Sequence, residues 1–175
     1  MERKVILYIA ASIDGYIATP DDNLDFLSTV EQEGEDYGYS EFVKTVDTVI
    51  VGRKTYDKVL NMGYDFPHAD KESYIITRTP KPPIGNIQFY IGSLSELLTK
   101  LKNQPGKNIF IDGGAEIVNL LMKDNLIDQF CISVIPVFLG EGIRLFNDGR
   151  PPLSLKFIKS QSFASGLVQT WYEKQ

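Results

Sequence analysis

The chain has 175 residues, 43% of them hydrophobic and 23% charged, which fits one globular domain, residues 1–175, with a sizeable core. Its net charge of -5 argues against nucleic acid or an anionic membrane as the main partner. A single cysteine, Cys131, excludes an internal disulfide, and with a single histidine, His68, it cannot build a zinc site, so no metal is expected.

Residues 4–11 form a continuous apolar run rich in β-formers and ended by Asp14-Gly15, which predicts a buried strand and a turn. The run is too short for a signal peptide or a membrane span, so a cytoplasmic protein is expected. Residues 24–38 are acidic and read as a loop with a short helix, and residues 40–45 as a brief helix. Residues 47–51 are a second apolar strand, and a helix over 54–60 ends near Asn61-Met62-Gly63. The Phe66-Pro67-His68-Ala69-Asp70 stretch reads as a surface loop carrying His68, and nothing supports a Ser-His-Asp triad around it.

Strands follow at 73–77 and 86–91. Residues 93–101 show a helical repeat with Leu94, Leu97, Leu98 and Leu101 on one face, opened by a Ser93/Glu96 capping box. A fifth strand at 108–111 leads into a helix over 115–123 with Ile117, Leu120 and Leu121 on one side. A long strand over 129–138 holds Cys131 as a small buried hydrophobe and closes at Leu139-Gly140-Glu141-Gly142. Runs at 155–163 and 167–172 flank Ala164-Ser165-Gly166, a hairpin signal. Strands alternating with helices need a parallel sheet covered on both faces, and the last hairpin adds an antiparallel edge. The expected class is α/β, with a mixed, mostly parallel sheet.

Two segments carry the chemistry. At Val51-Gly52-Arg53-Lys54-Thr55-Tyr56 a strand runs into a glycine and a helix begins. The free N–H groups and positive dipole end of such a terminus favour a phosphate, and Arg53, Lys54 and Thr55 add charge and a hydroxyl donor. At Ile111-Asp112-Gly113-Gly114-Ala115-Glu116 two glycines again stand between a strand and a helix and permit close backbone approach to a pyrophosphate. Asp112 is an awkward neighbour for an anion, so its carboxylate is expected to point elsewhere. Thr77 and Arg78 close the third strand. Strand ends on one edge of a parallel sheet lie together, so all these residues can converge on one ligand. The G-x-G-x-x-G fingerprint is absent, and no acidic residue follows the second strand to hold a ribose hydroxyl. The cations there suit a 2′-phosphate, and NADPH is the expected cofactor.

Four motifs in order, Ala10-Ala11-Ser12-Ile13-Asp14-Gly15-Tyr16-Ile17-Ala18, Gly52-Arg53-Lys54-Thr55-Tyr56, Gly113-Gly114-Ala115-Glu116 and Pro136-Val137-Phe138-Leu139-Gly140-Glu141-Gly142, resemble the dihydrofolate reductase superfamily. The branch most similar is the C-terminal reductase domain of the bifunctional riboflavin-biosynthesis deaminase/reductase. The resemblance spans nearly the whole chain. It implies a three-layer fold around an eight-stranded mixed sheet, with NADPH along the strand ends and a cis peptide between the paired glycines. It places Ala10 and Ile17 at the nicotinamide, Arg53, Lys54, Thr55, Thr77 and Arg78 at the adenosine-side phosphates, and Gly113, Gly114, Ala115 and Glu116 around the pyrophosphate.

The chain also departs from these families. A folate-reducing enzyme carries an acidic residue one helical turn before a large apolar one; here Phe42 fits the apolar position, Gly38 stands one turn earlier, and Asp36 and Glu41 are out of phase. The substrate loop of the riboflavin-pathway reductase is replaced by the helix at 54–60. The expected reaction is hydride transfer from the nicotinamide to a C=N or C=O of a small heterocyclic or ribosylaminopyrimidine-type substrate. Asp14, then Asp36, are the candidate catalytic carboxylates, and Leu24-Asp25-Phe26 a mobile cover with Phe26 as the apolar substrate wall. Two alternatives stay open: a dihydrofolate or pterin reductase, and a non-catalytic NADP-binding domain whose segment 136–146 makes a homodimer contact.

Overall fold

The computed structural model describes residues 2–175. In chain order the elements are β1 (Val5–Ser12), β2 (Tyr16–Ala18), a 3-10 helix (Asp25–Val30), α1 (Tyr39–Lys44), β3 (Val46–Gly52), α2 (Arg53–Asn61), β4 (Glu72–Ile76), β5 (Ile87–Tyr90), α3 (Leu94–Lys102), β6 (Asn108–Gly113), α4 (Ala115–Lys123), β7 (Gln129–Ile135), β8 (Ile143–Arg144), β9 (Leu155–Ser162) and β10 (Val168–Lys174). The main sheet has eight strands in the order β5-β4-β3-β6-β1-β7-β10-β9. Neighbours are parallel from β5 to β7, and β10 runs antiparallel to both β7 and β9.

The apolar runs of β1, β3 and β6 are continuous because both faces of the sheet are covered. On one face Leu97, Leu98 and Leu101 of α3 and Ile117, Val118 and Leu121 of α4 pack on Val5, Leu7, Ile50, Ile109 and Ile111. On the other, Phe42 of α1 packs on Ile6, Val49 and Phe110, and Tyr56 of α2 packs with Phe66 on Val51, Ile75 and Ile87. Three layers result, as the sequence implies. Cys131 is fully buried. Among the described residues no helix is long and apolar enough to cross a membrane.

Three expectations need correction. Leu120 is 43% exposed, and the buried stripe of α4 runs through Ile117, Val118, Leu121 and Met122. Successive helical positions turn about 100°, so two adjacent i,i+4 rows make the stripe and Leu120 falls outside both. The long strand stops at Ile135, because Pro136 has no N–H to give a ladder. His68 is buried rather than on the surface.

The small β2–β8 sheet has no counterpart in the sequence reading. Ahead of β8, Gly142 adopts φ +154°, and a Cβ there would lie 2.2 Å from the Ala18 carbonyl oxygen. At the other end of the fold, β9 is exposed along its whole length.

The capping box is present in half: Ser93 Oγ accepts from the Glu96 amide at 3.3 Å. Ser93→Ala should therefore cost about 1 kcal/mol, read as a melting point lowered by roughly 2–4 °C. An unchanged melting point would show that water satisfies that amide equally well.

Candidate active site

The parallel sheet gathers the carboxyl ends of β1, β3, β4 and β6 on one edge. There Gly52 and the Gly113-Gly114 pair touch. A Cβ on Gly52 would sit 3.1 Å from Ile117 Cγ1 and 3.6 Å from Gly113 O and Gly114 N. A Cβ on Gly114 would sit 3.0 Å from Thr55 Oγ1. Gly113 adopts φ +110°, which disfavours any side chain, and its bond to Gly114 is cis, as the resemblance implies. Two nine-residue helices, α2 and α4, begin directly at these glycines, and neither has a capping side chain. Two sets of unpartnered first-turn N–H groups and two positive dipole ends thus meet at one place.

The cations flank this cradle, and the two arginines each have a carboxylate at hand. Arg53 Nε donates to both Asp57 oxygens at 2.7 Å. Its guanidinium also lies 5.9 Å from the Phe89 ring, with Lys81 Nζ 5.6 Å from the same ring. Arg78 and Glu116 face each other at 3.5 Å, both well exposed, an ion pair weak enough to open for an anion. Lys54 is exposed on the first turn of α2, and Thr77 is half-buried at the end of β4. Phe89 and Lys81 are additions that the sequence reading missed; only the cation-over-ring geometry marks them.

Ala10 is half-buried near the end of β1 and, like Phe26, Leu27 and Val137, packs against the cluster of Val30, Ile135 and Leu167. Phe26 sits on the 3-10 helix and packs, half-buried, against that cluster. Ile17 lies on β2 and packs against the main core.

The two candidate carboxylates are both engaged. Asp14 accepts from Ser12 Oγ at 2.6 Å, Leu139 N at 3.1 Å and Gly140 N at 2.7 Å. The Ser12 hydroxyl, with those amides, holds its carboxyl below the usual range. Asp14 therefore fastens the β1–β2 turn to the loop after β7. Asp36 accepts from the Gly38 and Ser40 amides ahead of α1, and Ser40 foremost holds its carboxyl low. Two carboxylates so stabilised as anions are poor proton donors.

A different carboxyl occupies the α1 face of the sheet. Asp112 is half-buried at the end of β6, on the same face as Phe110, one step beyond the Leu7–Ile111 register pair. Burial pushes its carboxyl up to about 6. His68 Nε2 stands 3.7 Å from Asp112 Oδ2 and 3.3 Å from Tyr39 Oη. The rings of Tyr8 and Tyr39 pack edge to face at 5.7 Å. Tyr8 donates to the Tyr37 carbonyl, and Gln169 Nε2 bonds to Tyr8, the Tyr37 carbonyl and Ser133. The expectation that the Asp112 carboxylate points elsewhere than into the glycine cradle agrees with this placement. Its neighbours were not visible in sequence because they come from α1, β1 and the loop after α2.

The profile of the RibD C-terminal domain matches residues 3–169. The chain belongs to the RibD C-terminal domain family. It is similar to YwjB of Bacillus subtilis (strain 168), an uncharacterized protein, at 44% identity over 98% of both chains. A protein of Shewanella sp. PV-4, solved as a riboflavin-biosynthesis candidate, superposes with TM-score 0.89 and 32% identity over 100% of this chain and 99% of the other. Dihydrofolate reductase of Enterococcus faecalis, solved with NADP(H), superposes with TM-score 0.66 and 15% identity over 100% and 99%. That last likeness shows the fold: this RibD C-terminal domain has the three-layer dihydrofolate reductase-like architecture.

Within the RibD C-terminal fold, α2 starts at Arg53 immediately after β3, which leaves no inserted loop at that point. Among the described residues no group of His, Cys, Asp and Glu is arranged to hold a metal ion.

Proposed function

We propose that this RibD C-terminal domain is an NADPH-dependent reductase of a small heterocyclic acceptor of the ribosylaminopyrimidine type. The observation that supports it most is the meeting of two uncapped helix N-termini across Gly52, Gly113 and Gly114. The residues present fit the cofactor. Side chains at Gly52 or Gly114 would fill the cradle, and Arg53, Lys54, Arg78 and Lys81 supply positive charge on its adenosine side. Bound NADPH would contribute a hydride for a C=N or C=O carbon of the acceptor.

The reduced acceptor also takes up a proton. Asp112 is the donor we propose, because it lies at the end of β6 beside the Gly113-Gly114 turn and a carboxyl raised to about 6 keeps a neutral fraction near neutral pH. Tyr8 and Tyr39 keep their hydroxyl protons, since burial raises both, Tyr8 to about 12. Asp14 and Asp36 then serve as ties that hold the loops around the site. A folate-reducing role is less favoured, because the only carboxylate on α1, Glu41, is exposed and pairs with Lys44 in solvent.

NADPH oxidation with the ribosylaminopyrimidine intermediate and with dihydrofolate tests the reading, beside direct titration of NADPH. Absence of NADPH binding at high micromolar concentration would sink it. Arg53→Ala should weaken NADPH by roughly 10- to 150-fold, the loss of a charge-assisted contact of about 1.5–3 kcal/mol, and weaken NADH far less. Equal weakening of both cofactors would show that Arg53 does not read a 2′-phosphate.

A further inference from the structure

His68 is the chain's only histidine and is 2% exposed. The rings of Phe66 and Phe110 pack edge to face on the imidazole, each at 5.5 Å. Its Nδ1 is buried without a hydrogen-bond partner among the described residues. Packing alone would be met by an apolar ring of the same volume without that orphaned atom. What the imidazole adds is the other nitrogen, which stands between the Tyr39 hydroxyl at 3.3 Å and the Asp112 carboxyl at 3.7 Å.

We propose that His68 is a positioning residue of the reductase site: its neutral imidazole donates from Nε2 to the Tyr39 hydroxyl oxygen and presents the same N–H dipole to the Asp112 carboxyl 3.7 Å away, at the end of β6. The inference rests on the reading of Asp112 as proton donor. Two physical points support it. The Tyr39 oxygen can accept at 3.3 Å and the Asp112 carboxylate at 3.7 Å favours the positive end of an N–H dipole, so a proton on Nε2 suits both, and an orphaned lone pair at Nδ1 is easier to bury than an orphaned N–H. With Nε2–H directed at its oxygen, Tyr39 keeps its own proton free for a bound acceptor. Burial keeps the ring uncharged, pushing His68 down to about 4. The charged and titratable groups around it are Lys71 and Asp70 on its own loop, Asp112 on β6 and Tyr39 on α1; Tyr8 on β1 and Asp36 before α1 lie one shell further out.

The test reads Asp112 directly and requires no substrate. Aspartate is labelled with carboxyl 13C, and the Asp112 resonance is assigned by its loss in Asp112→Asn. In His68→Leu the Asp112 midpoint should move up, by up to about one pH unit, because the buried carboxylate loses the N–H dipole 3.7 Å away. In His68→Gln, whose amide can donate, most of that shift should be absent. The 15N shifts of the His68 ring in the unmodified protein should report the Nε2–H tautomer, a result that does not depend on any variant folding. An Nδ1–H tautomer, or an Asp112 midpoint equal in folded His68→Leu and the parent, overturns the proposal. Failure of the reductase reading looks different: NADPH does not bind, or Asp112→Asn keeps full turnover, while the His68 measurements stand.

Discussion

Asp112→Asn should lower the rate of NADPH oxidation by about 10²- to 10⁴-fold, with NADPH affinity unchanged, and should raise the melting temperature at pH 8. The loss follows because asparagine keeps the shape of the side chain and has no acidic proton to give. The gain in stability follows from the same burial that prepares the acid. Asp112 sits near 6 in the folded protein against an ordinary 3.8. The native state thus holds that proton more tightly than the unfolded chain does. Stability falls as pH rises between those values and stays lower above them, by at most about 3 kcal/mol. Its side chain is 27% exposed, so the water that reaches it reduces the figure.

His68 has the opposite slope. Its folded value of about 4 lies below the ordinary 6.5, so stability rises with pH over that range. The two slopes oppose each other in the parent protein, which should melt at nearly constant temperature from pH 4 to pH 6. Asp112→Asn removes one of them and should melt higher as pH increases over the same interval. Melting curves at several pH values check this. An Asp112→Asn protein that melts below its parent at pH 8 would contradict the buried-acid account.

Gly142→Ala should be the most damaging small substitution in the fold. Its backbone sits at φ +154°, and the new Cβ would come within 2.2 Å of the Ala18 carbonyl oxygen and 3.2 Å of its carbon. The obstacle is backbone, so no rotamer relieves it, and the Ala18–Ile143 pairing of β2 with β8 has to open. We expect a loss of about 2–4 kcal/mol, seen as a melting point lower by roughly 5–15 °C. Amide exchange should speed up at β2 and β8, and NADPH binding should weaken because Ile17 rides on β2. Gly140→Ala is the matched control, since that glycine also has positive φ but nothing within 4 Å. Its cost is backbone strain alone, about 1 kcal/mol. Equal melting points for the two variants would show that the Ala18 contact is not felt.

Much of this architecture is written in local pattern. The uninterrupted apolar runs of β1, β3 and β6 announce strands buried on both faces, and the Leu94, Leu97, Leu98, Leu101 spacing announces α3. The meeting of the two glycine turns was legible too, because Gly52 and Gly113-Gly114 each stand between a strand and a helix on one edge of a parallel sheet. The Arg53–Asp57 pair could have been read from its i,i+4 spacing. The rest depends on tertiary packing. Pro67 and Asp70 make the His68 stretch look like a surface loop, and only the rings of Phe66 and Phe110 bury it. Asp36 has the composition of an active-site acid, yet its oxygens are used on the backbone ahead of α1. Asp112 lies beside the cradle in sequence, but its surroundings come from Tyr8, Tyr39 and His68, which no spacing rule connects to it. The β2 and β8 strands, three and two residues long, are too short for any periodicity to appear.

The position of β1 has a consequence for how the molecule comes to exist. It is made first, yet its two partners are β6, with Val5 opposite Ile109, and β7, with Ile6 opposite Gln129. Pairings so distant along the chain carry a large loop-closure entropy and form slowly. During synthesis the β3–β4–β5 half can assemble from near neighbours, whereas the first strand waits unpaired until β6 has left the ribosome and stays half-paired until β7 follows. Chaperone dependence should therefore concentrate on the first dozen residues, and moving them by circular permutation to follow β10 should speed folding while leaving the finished sheet unchanged.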